Sequence, residues 1–272
     1  MFRSNLYVPG SDPHKIEKAL ASDADAITLD LEDSVAVVEK ERAREVVVET
    51  LRIKPKKPVF VRINPLGSEW GRRDVEALGD VNPDYIRLPK TETPEQVNDL
   101  ARLLDLLHCD AVLVCAIETA LGLERCLAIA TAHRRVASIG LGEADLRADL
   151  GVEGDAGLLY ARSRIVTAAR AARLPRPAQS VYPNVKDLDG LRTACDYGRR
   201  LGFQGRMALH PVQVPIINSA FMPSSAEIRV AREIVRQSEQ RALDGVGAFT
   251  LANGDFVDEA IVKSARRTLF LE

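Results

Sequence analysis

Charged side chains recur in this sequence where short apolar runs end. Residues 26–31 run into Asp30-Leu31-Glu32-Asp33, and residues 59–64 carry Arg62 and Asn64. Lys90 follows the run 85–89, Glu118 closes 111–118, Glu143 and Asp145 follow 136–140, and His210 closes 206–210. Glu118 and Asp145 are carboxylates from successive runs with no Cys or His beside them. That donor set suits a hard cation such as Mg²⁺, which takes one or two protein carboxylates and fills its shell with water and substrate oxygens. A single acid at such a position is as readily a solvated loop residue; the pair, set opposite Arg62, favours the metal. A guanidinium inside an apolar run needs a partner. For Arg62 that is either a structural ion pair with Asp30 or Glu32, or a substrate carboxylate or developing enolate oxygen held in its fork. Asp30, Glu32 and Asp33 are too many like charges to be ligands alone, and are expected to orient Arg62 or metal-bound water. Lys90 could form a Schiff base, but that chemistry has no need of the acid pair, so Lys90 is read as a supporting charge. His210 is open between a general base and a hydrogen-bonded rim residue.

These residues need a scaffold that brings strand ends together. Eight runs rich in Val, Ile and Leu read as buried parallel strands: residues 5–9, 26–31, 59–64, 85–89, 111–118, 136–140, 178–182 and 206–210. Segments with helical spacing of apolar residues lie between them, among them 15–22, 39–51, 94–107, 122–132, 159–172 and 190–201. The alternation predicts an α/β protein, a (β/α)₈ TIM barrel whose chemistry sits at the C-terminal strand ends. An open doubly wound sheet is the alternative, but the first run ends in Pro9-Gly10-Ser11-Asp12-Pro13 rather than G-x-G-x-x-G. The barrel core is expected over residues 1–215. Residues 216–272 form an appended helical arm or lid, with a helix over 225–242, a Gly-rich stretch 244–247, a strand-like 248–251 and a last helix from about 258.

Composition narrows the partners. The 272 residues are 46% hydrophobic and 28% charged with a formal net charge of −2, which gives no bias toward nucleic acid or an anionic membrane. No apolar run approaches the roughly 20 residues of a membrane span. No basic and apolar leader precedes the first strand, and Cys109, Cys115, Cys126 and Cys195 show no C-x-x-C spacing. A reduced, cytoplasmic protein is expected.

The motifs, in order, resemble the citrate lyase β-subunit-like family of metal-dependent barrel aldolases. They are Tyr7-Val8-Pro9-Gly10-Ser11, Leu29-Asp30-Leu31-Glu32-Asp33-Ser34-Val35, Val61-Arg62-Ile63-Asn64, Leu88-Pro89-Lys90, Ile117-Glu118-Thr119-Ala120-Leu121-Gly122, Asp145-Leu146 with Gly151, and Leu209-His210-Pro211. The resemblance spans residues 6–269. It implies Mg²⁺ on Glu118 and Asp145, and Arg62 on the reacting acyl group. Tyr7, His14, Lys18, Leu209 and His210 match positions that contact coenzyme A. Asp258 matches a carboxylate that the C-terminal arm inserts into a neighbouring subunit's active site, in a homotrimer sometimes doubled to a hexamer. The activity implied is carbon–carbon cleavage of a short 3-hydroxyacyl-CoA, of malyl-CoA or citramalyl-CoA type, to an acyl-CoA and a 2-oxo acid such as glyoxylate or pyruvate.

Two positions depart from the family pattern. Ala144 stands before Asp145 where many relatives have Glu, with Glu143 one residue further back, and His14 stands where Lys or Arg is common. A β-subunit of a citrate lyase complex, acting on a citryl thioester of an acyl-carrier protein, is the second reading. A non-catalytic barrel that binds CoA esters is the third, and the acid pair, Arg62 and Asp258 weigh against it.

Overall fold

The computed structural model describes residues 2–243 and 247–270. Two compact units make up the chain, Met1–Asn218 and Ser219–Glu272.

In the first unit strands and helices alternate. They run β1 (Ser4–Pro9), α1 (Pro13–Ala21), β2 (Ala26–Asp30), α2 (Lys40–Arg52), β3 (Val59–Arg62), α3 (Glu69–Gly79), β4 (Tyr85–Leu88), α4 (Pro94–Leu106) and β5 (Val112–Ile117). Then come α5 (Ala120–Glu124), α6 (Cys126–Ala130), β6 (Val136–Leu141), α7 (Glu143–Leu150), α8 (Leu159–Ala171), α9 (Leu188–Leu201), β7 (Arg206–Ala208) and α10 (Val214–Ala220). Helix starts are marked locally. Asp12 caps α1 ahead of Pro13, and Thr93 with Gln96 forms a reciprocal capping box on α4.

The strands form one parallel sheet in the order β6-β5-β4-β3-β2-β1-β7. Every residue of β2 is buried, and Leu113 to Ile117 of β5 are too. Helices therefore cover one face of the sheet while the other faces inward, as parallel strands require. The sheet is curled. Arg87 on β4 reaches Met207 on β7 with Nη2 to Sδ at 3.6 Å. Four strand spacings in a flat sheet would hold those strands about 19 Å apart.

The closed eight-stranded barrel expected from the sequence is not what the backbone hydrogen bonds describe. Among the described residues the sheet has seven strands, and the run 178–182 makes a single parallel bridge, Gln179 to Arg206. Pro175, Pro177 and Pro183 flank that run, and proline offers a ladder no N–H. On the β6 side a side chain makes a link: the Glu143 N–H donates to Ser180 Oγ at 3.2 Å.

In the second unit α11 (Ser225–Leu243) and α12 (Glu259–Phe270) pack together beside an antiparallel pair, β8 (Phe249–Thr250) and β9 (Phe256–Val257). Ala231, Ile234, Phe249, Val257, Val262 and Ala265 form its core. Of the Gly-rich stretch 244–247, residues 244–246 lie outside the described residues. All four cysteines are buried free thiols.

Candidate active site

A pocket of about 430 Å³ opens at the C-terminal ends of the strands in the first unit, lined by Tyr7, Arg62, Arg87, Glu118 and Asp145 among others. Register explains how the charges meet. Asp30 pairs with Arg62 and Arg62 with Arg87 across three adjacent strands, so their side chains leave the sheet on the same face.

Arg62 is held on several sides. Its Nε and Nη2 donate to the two oxygens of Asp30 at 2.6 and 2.7 Å, a bidentate fork. Its Nη1 donates to Asp33 Oδ2 at 3.1 Å and lies 2.9 Å from Glu32 Oε2. The guanidinium carbon stands 5.1 Å from the centre of the Tyr7 ring. Asp30 is buried, yet Arg62 keeps its carboxyl below the usual range against the burial that would raise it. Glu32, also buried, bridges Arg62 and Lys90, whose Nζ is 2.9 Å from Glu32 Oε1. Burial outweighs both cations there and pushes the Glu32 carboxyl up to about 7.

Glu118 follows β5 and Asp145 lies in the first turn of α7. The Lys90 N–H donates to Glu118 Oε2 at 3.0 Å. Lys90 holds a left-handed backbone, φ 47°, which a residue with a side chain adopts only when its surroundings enforce it. Gly142 lies against the other side of Glu118. A Cβ added at Gly142 would stand 2.5 Å from Glu118 Cγ and 2.6 Å from Oε1. A glycine is therefore required for the carboxylate to occupy its place. Burial, and after it the charge of Asp145, raises the Glu118 carboxyl above its usual range. Two like charges facing one pocket, one of them buried, gain most from a shared cation. No group of three or more His, Cys, Asp or Glu that could hold a metal occurs among the described residues. Two carboxylates as the protein's share of the donors suit a hard ion that fills its shell with water and ligand oxygens, the habit of Mg²⁺.

The remaining sequence-predicted residues are spread over the molecule. Tyr7 is half-buried on the pocket wall, its ring beneath the guanidinium carbons of Arg62 and Arg87, and burial raises its phenol. His14 and Lys18 are exposed on α1, and Leu209 and His210 are exposed after β7. His210 Nδ1 accepts from the Val212 N–H at 3.2 Å, so the ring caps a short 3₁₀ turn. Asp258, in the second unit, caps α12 by accepting from the Ile261 N–H at 3.0 Å. Glu143 is gripped by Arg162 at 2.8 and 2.7 Å.

Arg87 is the pocket residue that the sequence reading missed. Residues 85–89 read Tyr-Ile-Arg-Leu-Pro, a charge within an apolar strand, which is the rule that selected Arg62 one strand earlier.

A curled parallel sheet thus carries an acid pair and a clamped guanidinium at its C-terminal rim. The chain belongs to the HpcH/HpaI aldolase/citrate lyase family, whose model matches residues 3–211. It is 37% identical to a (3S)-malyl-CoA thioesterase of Cereibacter sphaeroides, over 98% of this chain and 93% of that one. It is 34% identical to the citrate lyase subunit beta of Escherichia coli K12, over 98% and 92% respectively. The crystal structure of Mycobacterium tuberculosis CitE with magnesium, acetoacetate and coenzyme A superposes with a TM-score of 0.84 at 29% identity, covering 99% of this chain and 97% of that one. The structure of a citrate lyase beta subunit from M. tuberculosis complexed with oxaloacetate and magnesium matches with a TM-score of 0.72 at 30% identity, covering 82% of this chain and 97% of that one.

Proposed function

We propose that this chain is a Mg²⁺-dependent carbon–carbon lyase that splits a short 3-hydroxyacyl-CoA, of malyl-CoA or citramalyl-CoA type, into an acyl-CoA and a 2-oxo acid. The observation that carries the reading is the Glu118 carboxylate, buried between the Lys90 N–H and Gly142 and sharing its pocket with Asp145 and Arg62. Bound there, Mg²⁺ would supply Lewis acidity to the carboxylate and hydroxyl oxygens of the hydroxy-acid half. The protein's own groups do the rest.

Cleavage releases the hydroxyl proton to solvent water, turns that C–O bond into a carbonyl and leaves the bonding pair of the broken C–C bond on the thioester half as an enolate. Arg62 is the group aimed at that negative charge. Four carboxylate contacts hold its plane still, so a preset guanidinium meets the charge as it forms. The family resemblance gives the last proton transfer, to the enolate carbon, to Asp258 of a neighbouring subunit, and assigns coenzyme A to the exposed His14, Lys18, Leu209 and His210.

The likeness to a citrate lyase subunit beta supports a second reading, cleavage of a carrier-protein thioester within a complex. The likeness to a malyl-CoA thioesterase adds hydrolysis to the products that must be tested. Purified protein with Mg²⁺ and each thioester separates the three. A lyase releases a 2-oxo acid and keeps the thioester in the acyl-CoA. A thioesterase releases free thiol with no 2-oxo acid. Turnover that appears only with a carrier-protein thioester contradicts the proposal in favour of the complex.

A further inference from the structure

A second cavity, of about 220 Å³, lies at the opposite end of the same strands. Its walls come from where strands begin: Phe2 ahead of β1, Phe60 on β3, Tyr85 opening β4 and Ser138 early in β6. One side is aromatic. Phe60 and Tyr85 stack with ring centres 4.1 Å apart, and Phe2 meets both edge-on. The opposite side is small, with Val114 paired to Ser138 across β5 and β6, and the space is what those short side chains leave. Arg87 and Met207 line this cavity and the catalytic pocket alike, so they form the partition between the two.

That partition carries a charge its walls do not answer. Arg87 is 9% exposed, its Nη2 donates to Met207 Sδ at 3.6 Å, and its Nε is buried without a hydrogen-bond partner. A thioether sulfur is a weak acceptor, and a buried guanidinium is costly unless an anion accompanies it. No Asp or Glu lines the second cavity. The catalytic pocket is lined by Asp30, Asp33, Glu118, Glu143 and Asp145, so in the absence of metal an anion approaching Arg87 meets less repulsion from the second cavity. We infer that this cavity is a second ligand site, for a small planar monocarboxylate with an aromatic body. Its carboxylate pairs with Arg87, and its ring packs against the aromatic wall in the offset or edge-on contacts such rings prefer. Room is sufficient, since an apolar cavity of about 150 Å³ takes benzene. The site stands apart from the lyase reading and needs neither the metal nor a thioester.

The test is calorimetric titration of metal-stripped wild-type protein with benzoate and with benzamide, which has the same shape and no charge. Benzoate is expected to bind with a Kd of about 1 mM or below, within reach of a ligand of this size. Benzamide is expected to bind at least about 30-fold more weakly, the scale for leaving a buried charge unpaired. Saturating Mg²⁺ and the Glu118→Gln substitution should both leave benzoate affinity unchanged, because both act on the other side of the partition. Arg87→Met should weaken benzoate by about the same 30-fold. Ser138→Leu, which fills the cavity from the far wall and keeps Arg87, should abolish binding. Benzoate that does not bind wild type, or binds no better than benzamide, overturns the inference. An affinity that changes with Mg²⁺ or with Glu118→Gln puts the ligand in the catalytic pocket and overturns it too. So does undiminished binding by Ser138→Leu, whether or not Arg87→Met folds.

Discussion

Glu118 joins several physical demands in one side chain. It is buried, it accepts from the Lys90 N–H, and it shares its pocket with Asp145. Burial and the neighbouring charge both favour its protonated form, so its carboxyl titrates above the ordinary range. A carboxylate must lose that proton before it ligates a metal. The sign follows. Below the raised pKa, Mg²⁺ competes with the proton, and its apparent affinity should climb by up to about tenfold per pH unit as pH rises; above it the dependence should vanish. Calorimetric Mg²⁺ titrations from about pH 4, below the ordinary carboxyl range, up to neutral pH check this. An affinity independent of pH across that range, with no proton released on binding, would mean that Glu118 does not hold the ion. In metal-free protein the same shift acts on stability. The folded state holds the proton more tightly than the unfolded one, so this group's contribution is greatest below the unfolded pKa and is lost as pH rises through the folded value.

At the scale of elements, the junction between β6 and α7 and the turn after β4 set the site. Gly142 leaves the space that Glu118 fills, and Lys90 turns its N–H toward Glu118 by adopting a left-handed backbone. Gly142→Ala should therefore displace the Glu118 carboxylate while α7 remains folded. Mg²⁺ affinity is expected to fall about 10- to 100-fold, the usual cost of disturbing what orients a ligand. Calorimetry with circular dichroism as the folding control measures it, and unchanged affinity would show that the close approach is not needed. Much of this frame is legible in the sequence. Runs such as 26–31 and 111–118 read correctly because parallel strands are apolar on both faces, and the rim charges stand out against them. The run 178–182 looks like a strand by the same measure, but the flanking prolines and the Ser180 hydroxyl bond leave it a single bridge. Arg87 meets the rule that selected Arg62, but that it faces Met207 is something only packing reveals. The grip of Arg162 on Glu143 joins positions 19 apart in sequence through the folding of α8 onto β6, and spacing does not announce it.

At the scale of the whole molecule, the proposed chemistry uses two chains. The resemblance places Asp258 of one subunit in the site of the next, within a homotrimer. Asp258→Asn alone should lower turnover by about 10²–10⁴-fold, the usual contribution of a positioned proton donor. Glu118→Gln should abolish turnover by losing the ion. If each site draws Glu118 and Asp258 from different subunits, co-expressing the two variants rebuilds intact sites, about a quarter of them for random mixing in a cyclic trimer. Recovered turnover in the mixed assembly is the expected result, and none in assemblies shown to be mixed would refute the shared site. The central claim itself is tested most directly by the rate at which metal-stripped protein releases 2-oxo acid from malyl-CoA or citramalyl-CoA. The account predicts no release in chelator, full release on adding Mg²⁺, and none from Glu118→Gln under either condition. Undiminished release in chelator, or from Glu118→Gln, would contradict it.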